Sequence, residues 1–136
     1  MATEKIICDT DVMIDYLDNT RSRHTETVRI LENLISLENV LLSAITKMEL
    51  LVGRLNKNEL AKINKKIELY HIALINDEIT LKAMELIEKY NLSHGLEIPD
   101  ALIASTAIVT KSKLFTYNIR DYRYIDRLIL YSPVKA

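Results

Sequence analysis

The sequence predicts an α/β fold of three layers, in which a small parallel sheet lies between two layers of helices. Two observations lead to this prediction. Several short apolar runs lack polar alternation, and most of them are followed by a segment with helical periodicity, which is the pattern of parallel strands buried on both faces. The 136 residues make one ordinary domain that is long enough to bury a core. We therefore predict a single domain over residues 1–136.

The predicted strands are five short apolar runs. The first ends in the carboxylate of Asp9, and the second leads directly into a helical segment. Parallel neighbours need a crossover connection, which the intervening helical segments supply. The strands are predicted at residues 5–9, 40–43, 72–75, 113–116 and 128–131.

The predicted helices are recognised by apolar residues that recur every three or four positions. In the second of them, Val28, Leu31 and Ile35 form one such stripe. The last begins at Pro99, which suits the first helical position because proline has no N–H to lose there. The helices are predicted at residues 11–17, 23–37, 60–70, 78–90 and 99–109, with a further helix through Met48, Leu51 and Val52 after the second strand.

Composition bounds the type of protein. Cys8 is the only cysteine, so no disulfide forms within the chain. A reducing compartment is the natural setting for such a protein. No apolar stretch reaches the roughly 18 residues that a membrane helix needs, and no signal peptide precedes the first strand. We expect a cytoplasmic protein that does not enter the membrane.

Charge is distributed unevenly along the chain. The formal net charge is −1, but residues 111–136 hold six basic and two acidic side chains, a local excess of +4 that leaves −5 on the rest. A basic end beside acidic clusters suits an enzyme that binds a polyanion and also holds cations. Charged chain ends are common, so this feature gains meaning only together with others.

Four carboxylates fall at the ends of predicted strands or in the first turns of the helices that follow. Carboxyl ends of parallel strands share one edge of a sheet, where the chemistry of such folds collects. Several carboxylates held there resist ionising together unless a cation neutralises them, and Mg²⁺ and Mn²⁺ prefer oxygen ligands. This set suits phosphodiester hydrolysis. The four residues are Asp9, Glu49, Asp100 and Asp121.

Each of these acids also has a purely structural interpretation. Glu49 fits a capping box with Thr46, and Asp100 stands in a first helical turn, where the helix dipole favours an acid. Asp9 or Asp11 suits the N-cap of the first helix, and Asp121 suits a short helix after the fourth strand. The spacing alone leaves both interpretations open.

Four segments of the chain, in order, resemble the motifs of PIN domains of the VapC toxin type. Residues 7–17 are similar to an opening D-T-N-V-L-I-D-Y-L, and residues 42–50 to S-x-x-T-x-x-E-L. Residues 94–107 resemble H-G-L-x-I-P-D-A-L-I-A-A-T-A, and residues 116–122 resemble T-x-N-x-x-D-F. One motif alone would be weak, but the ordered set spans nearly the whole chain.

The resemblance implies an endoribonuclease that cleaves single-stranded regions of RNA and requires Mg²⁺ or Mn²⁺. The four carboxylates become its catalytic acids, with Asp9 and Asp100 as direct metal ligands. Glu49 is expected to act through a water, and Asp121 shares its role with Asn118. The residues expected to support the acids or position water are Thr10, Thr46, Thr106 and Asn118.

The chain departs from the family pattern at two positions. Asp11 stands where the family more often has Asn or Ser, so it either raises cation affinity or caps the first helix, and capping is favoured. Tyr122 replaces the usual Phe, which is a mild change. Tyr122 belongs to a tract of alternating aromatic and basic residues that suits contacts to unpaired bases and phosphates. From this tract, Arg120 and Arg123 are predicted to bind substrate.

The resemblance also implies partners, namely a homodimer and a VapB-type antitoxin that blocks the acidic pocket. Two other functions remain open at this point. A PIN fold can serve as a non-catalytic module that binds RNA or protein. The D-T-D of the first motif is also similar to that of haloacid-dehalogenase-like phosphatases, although their later lysine and acidic pair are not evident. Three histidines have no metal-ligand spacing: His71 is expected at a helix end and His94 in a loop.

Overall fold

Four short parallel strands form the central sheet of this protein, described by a computed structural model that covers residues 4–53 and 56–133. The order across the sheet is β3-β2-β1-β4, so β1 lies in the interior and pairs with strands on both sides. Ile7 is the register partner of both Leu41 and Leu114. The predicted parallel sheet is confirmed. The strands are β1 (Ile6–Cys8), β2 (Val40–Ser43), β3 (His71–Ala73) and β4 (Lys113–Phe115).

Six helices surround the sheet. The second continues from Arg29 as a π-helical stretch, Ile30–Ile35, which the apolar periodicity did not predict. Short 3₁₀ turns follow at Leu37–Asn39 and Ile119–Asp121. No helix within residues 4–53 and 56–133 is long and apolar enough to cross a membrane. The helices are α1 (Thr10–Leu17), α2 (His24–Arg29), α3 (Ala44–Val52), α4 (Lys57–Ile67), α5 (Asp77–His94) and α6 (Ile98–Val109).

The two faces of the sheet are covered by different helices. Side chains alternate between the faces along a strand, so Ile6 and Cys8 join one core cluster while Ile7 joins the other. The first cluster includes Val12 of α1 and the second includes Ala104 of α6. All strand residues of β1 are buried, and Ile7 alone contributes about 1.5–3 kcal/mol through burial. The predicted three layers are confirmed.

Polar side chains fix where several helices begin. The Ser43 hydroxyl accepts from the N–H of Ile45 at the start of α3 (3.3 Å). Asn76 accepts from the N–H of Ile79 at the start of α5 (2.9 Å). Such caps satisfy backbone donors that have no partner within the helix. Because α3 begins directly after β2 and α5 begins within four residues of β3, these caps also fix how the chain leaves the carboxyl edge of the sheet.

The predicted fifth strand at residues 128–131 is wrong. Only one parallel bridge forms there, between Leu130 and Leu114. The N–H of Leu114 donates to the carbonyl of Ile129 (2.9 Å), and the N–H of Tyr131 donates to the carbonyl of Leu114 (2.7 Å). Arg127, just before this segment, has a left-handed φ of 69°. The chain therefore turns onto the edge of β4 and forms a β-bridge with it at a single residue.

Two histidines lie elsewhere than predicted. His71 opens β3 instead of ending a helix, because α4 stops at Ile67. His94 is the last residue of α5, which continues four residues beyond the predicted end at Tyr90. Gly95 ends this helix with a left-handed φ of 73°, and its N–H donates to the carbonyl of Asn91 (2.8 Å). Glycine adopts this conformation without the strain that a Cβ atom causes.

Candidate active site

Asp9 is the buried centre of the acidic site. It directly follows β1, forms the N-cap of α1, and only 5% of its surface is exposed. Its Oδ1 accepts from the N–H of Thr10 (2.8 Å), and its Oδ2 accepts from the Thr116 hydroxyl (2.7 Å). The N–H of Asp9 donates to the carbonyl of Phe115 at the end of β4 (2.9 Å). Asp9 therefore caps the first helix and also lies among the acidic residues, as the two interpretations of the sequence expected.

Tyr122 joins Asp9 to Asp100. Its hydroxyl lies 3.2 Å from Oδ1 of Asp9 and 3.1 Å from Oδ1 of Asp100. Only 1% of the surface of Tyr122 is exposed, so the phenol reaches the two acids from inside the core. From the sequence alone, this tyrosine is expected to be only a mild replacement of phenylalanine. The available signal was the hydroxyl itself, because a buried tyrosine normally needs a hydrogen-bond partner.

Glu49 approaches the site from α3. Its Oε1 accepts from the Thr10 hydroxyl (2.6 Å), and that hydroxyl lies 3.2 Å from the hydroxyl of Thr46. Glu49 is exposed whereas Thr46 is fully buried. The capping-box interpretation is wrong, because Ser43 caps α3 and Glu49 lies in the second turn. Thr10 therefore connects Glu49 to the N-terminus of α1, beside Asp9.

Asp121 and Asn118 lie on the loop that follows β4. Asp121 ends the 3₁₀ turn and is exposed, and its N–H donates to the carbonyl of Asn118 (3.0 Å). The N–H of Asn118 donates to the Thr116 hydroxyl (3.0 Å), the same hydroxyl that donates to Asp9. Thr116 therefore positions both the loop and Asp9. Its role was not predicted, although it opens the fourth motif.

Thr106 has different surroundings from the other predicted supporting residues. It is fully buried in α6, and its hydroxyl donates to the carbonyl of Leu102 one turn earlier (2.7 Å). This bond satisfies the hydroxyl within its own helix. The supporting role predicted for Thr106 stays a prediction.

The acids raise each other's pKa. Burial and the charge of Asp11 raise the pKa of Asp9 to about 6, although the hydrogen bond from Thr116 acts in the opposite direction. Burial and the charge of Asp9 raise the pKa of Asp100 to about 6, with smaller contributions from Asp121 and Glu49. Without a cation, the carboxylates are therefore harder to ionise than in water. A divalent cation would remove this penalty.

Asp11 connects α1 to the loop after β4. Its Oδ1 accepts from the N–H of Val12 (2.7 Å), and its Oδ2 accepts from the N–H of Tyr117 (3.1 Å). Burial raises its pKa. The cap of α1 is Asp9, so the favoured assignment of Asp11 as a helix cap is wrong. Asp11 is instead an acid in the first turn of α1 that holds the backbone of Tyr117 in place.

The residues fit a hydrated divalent cation. Within the described part of the chain, no group of three or more His, Cys, Asp or Glu side chains is placed to hold a metal ion. Magnesium is commonly held by only one or two carboxylates and keeps several waters. Asp9 and Asp100 provide such an oxygen pair around one hydroxyl. Glu49 and Asp121 lie near enough to affect the pKa of Asp100, so they suit contacts through water.

A cavity of about 390 Å³ opens beside Asp100 and Asp121. Arg120 and Arg123, the predicted substrate-binding residues, are among the residues that line it. Tyr124 lines it as well, whereas Tyr117 of the same tract is engaged by Thr27 through a hydroxyl contact of 2.6 Å. The tract is thus divided between a structural half and a half that faces the cavity. Cations next to an acidic metal site can hold phosphates that flank the reacting one.

The chain matches the PIN domain family over residues 6–128. It is 30% identical over 117 residues to Ribonuclease VapC19 of Mycobacterium tuberculosis, covering 85% of this chain and 90% of the relative. It is 32% identical over 121 residues to VapC ribonuclease PF0355 of Pyrococcus furiosus, covering 86% of this chain and 80% of the relative.

The fold is also similar to that of a solved toxin–antitoxin complex from Klebsiella pneumoniae. The TM-score is 0.73 at 23% identity, over 92% of this chain and 96% of that one. Motifs, acidic site and fold thus agree, and the chain belongs to the PIN-domain family.

Proposed function

We propose that this chain is an endoribonuclease that hydrolyses single-stranded regions of RNA with Mg²⁺ or Mn²⁺ held by Asp9 and Asp100. The observation that carries the proposal is the close pair of carboxylates around the Tyr122 hydroxyl. It receives support from the curated relatives, which are VapC ribonucleases. The phosphatase alternative loses its basis because the chain belongs to the PIN-domain family.

The side chains have distinct tasks in this proposal. Mg²⁺ or Mn²⁺ held by Asp9 and Asp100 would polarise the phosphate and lower the pKa of a water. Thr10 and Thr116 orient Asp9 as a ligand through the backbone and hydroxyl bonds described above. Glu49, held by the Thr10 hydroxyl, orients water. Arg120 and Arg123 bind phosphates on either side of the reacting bond.

We further propose that the chain is the toxin of a toxin–antitoxin pair. The solved structure from Klebsiella pneumoniae is a toxin–antitoxin complex with the same fold. An antitoxin that inserts a basic side chain between Asp9 and Asp100 would displace the cation. The predicted homodimer and the cytoplasmic location stay predictions.

The test is cleavage of a single-stranded RNA by the purified, antitoxin-free chain in Mg²⁺, Mn²⁺ or EDTA. We expect cleavage with either metal and none in EDTA. Asp9→Asn and Asp100→Asn should each reduce the rate by about 100-fold or more, because each removes a ligand charge.

Asp77→Asn is the matched control, since Asp77 is an exposed acid in the first turn of α5. It should cleave as well as the parent chain. A folded protein that stays inactive with both metals would overturn the catalytic proposal and favour a non-catalytic module. Equal rates in the parent chain and both site variants would show that the activity does not belong to this site.

A further inference from the structure

Three aromatic rings pack together beside the acidic site. His94 stacks on Tyr124 with ring centroids 4.1 Å apart and planes 13° from parallel. Tyr90 contacts both rings edge-on, at 5.8 Å from His94 and 5.2 Å from Tyr124. Tyr90 is buried, and its hydroxyl accepts from the N–H of Asp126 (3.0 Å). The stacked pair is therefore supported from beneath by a fixed residue.

The stacked pair faces the cavity that contains the acids. His94 and Tyr124 line the same 390 Å³ space as Asp100, Asp121 and Arg123. The volume lies in the range of small-ligand pockets. His94 is exposed, so its ring is accessible to a further planar group. Aromatic rings next to phosphate-binding cations are how proteins hold unpaired bases.

Glu97 adds a selective group to this cavity. It occupies the N-cap position of α6, but its side chain makes no capping hydrogen bond there. It is exposed and lines the cavity together with His94. A carboxylate accepts hydrogen bonds and donates none. The Watson–Crick edge of guanine presents two adjacent N–H donors, N1–H and N2–H, whereas uracil presents only N3–H.

We propose that His94, Tyr124 and Glu97 form a subsite for one unpaired nucleobase beside the scissile phosphate, and that this subsite prefers guanine. The inference deepens the proposed ribonuclease function and rests on it. The base extends the stack on His94 and Tyr124, while Glu97 accepts from its Watson–Crick edge. Arg120 and Arg123 hold the adjoining phosphates.

The test is equilibrium binding of short labelled oligonucleotides in EDTA and low salt, followed by fluorescence polarisation. Each probe has an abasic sugar–phosphate backbone with guanine, uracil or no base at its centre, so a base cannot slide into another register. We expect binding in the order guanine, uracil, no base, with about fivefold or more between uracil and no base.

The variants separate stacking from recognition of the base edge. His94→Ala and Tyr124→Leu should bind all three probes nearly equally, whereas Tyr124→Phe should keep the differences. Glu97→Gln should bind the guanine and uracil probes equally well. It should still bind both of them more tightly than the probe without a base. His71→Ala is the matched control, because His71 is exposed and lies at the opposite end of the strands.

The outcomes distinguish this inference from the proposed function. If the parent chain binds the three probes equally, or if His94→Ala and Tyr124→Leu retain the parent pattern, the subsite is wrong even if RNA is cleaved. If the binding pattern appears but no metal supports cleavage, the subsite stands and the catalytic proposal fails. Circular dichroism of each variant verifies the fold.

Discussion

Tyr122 shows how one buried hydroxyl can organise a pair of carboxylates. The phenol has one proton but lies within hydrogen-bond distance of an oxygen of both Asp9 and Asp100. Because the ring is enclosed by the core, the hydroxyl cannot swing away, and both carboxylates are held relative to one fixed atom. If Asp9 and Asp100 hold a metal ion as proposed, such an outer partner affects the metal affinity as well as the geometry.

We expect Tyr122→Phe to weaken Mn²⁺ binding by about tenfold, since the carboxylates lose the donor that orients them. Isothermal titration calorimetry measures this directly and needs no substrate. Tyr90→Phe is the control, because it also removes a buried hydroxyl, but one that accepts from the N–H of Asp126 and touches no acid of the site. Unchanged or tighter Mn²⁺ binding by Tyr122→Phe would contradict the positioning role.

Sequence motifs identified the acids but not all the residues that hold them. Asp9 and Asp100 could be predicted because they stand at the end of a strand and in the first turn of a helix. Thr116 and Tyr122 could not, because a threonine at a strand end and an aromatic in a core have ordinary structural explanations. Only the pairing of β1 with β4 brings both hydroxyls to Asp9.

The raised pKa of Asp100 has a consequence for stability. The folded pKa of about 6 exceeds the ordinary value of 3.8, so the folded state binds the proton more tightly. In metal-free protein, stability therefore falls as pH rises from about 4 to 6, and the full penalty persists above that range.

We expect Asp100→Asn to be more stable than the parent chain at pH 7.5 in EDTA, and about equally stable at pH 4. For an isolated buried group, a rise in pKa from 3.8 to about 6 would correspond to roughly 3 kcal/mol of stability. Asp100 is only partly buried, so solvent screening reduces the expected gain to about 1 kcal/mol. Urea unfolding at both pH values measures the difference. If Asp100→Asn is less stable than the parent chain at pH 7.5, the ionised Asp100 is not destabilised by burial and by the charge of Asp9.

At the scale of elements, the end of α5 determines the shape of the cavity. The N–H of Leu96 donates to the carbonyl of Tyr90 (3.4 Å), and Gly95 reverses the chain between them. Leu96 is buried, which anchors the turn. His94 thereby comes to line the cavity. The helix was predicted to end at Tyr90, the last residue of its apolar stripe, because Ser93 and His94 beyond it are polar, and polar residues mark solvent exposure as readily as a helix end.

We expect Gly95→Ala to lower the free energy of unfolding by about 1 kcal/mol, because alanine is strained at a φ of 73°. A Cβ at Gly95 would meet no atom within 4 Å, so the effect isolates backbone strain. Gly53→Ala is the control: it has equal space but a φ of −78° and should be neutral or slightly stabilising. If Gly95→Ala and Gly53→Ala change the free energy of unfolding by urea equally, the left-handed conformation of Gly95 does not require glycine.

The remaining errors at this scale have physical causes. The apolar run at residues 128–131 has the pattern of a strand. Its apolar side chains are explained equally well by packing against the core beside β4, which needs no continuous strand pairing. The π-helical stretch Ile30–Ile35 keeps an apolar face, and a pattern of apolar residues does not report the hydrogen bonds of the backbone.

At the scale of the whole molecule, sheet topology accounts for what could be predicted. With all four strands parallel, every strand ends at one edge, so acids separated by more than 100 residues could be assigned to one site. The cavity and its aromatic wall could not be assigned, because they depend on the packing of α5 against the loop after β4. The net charge of the chain did not indicate where a substrate would bind. The basic side chains that matter here are Arg120 and Arg123, which lie together at this cavity.

The placement of β1 also affects when the site can exist during synthesis. Asp9 leaves the ribosome early, but its hydroxyl donors follow 107 and 113 residues later. Such distant contacts form slowly and only after the intervening chain is available. A nascent chain that has not yet released residue 122 has a core in part but no complete acidic centre. The acidic centre therefore assembles only after residue 122 is available, however early the first strand and helix are synthesised.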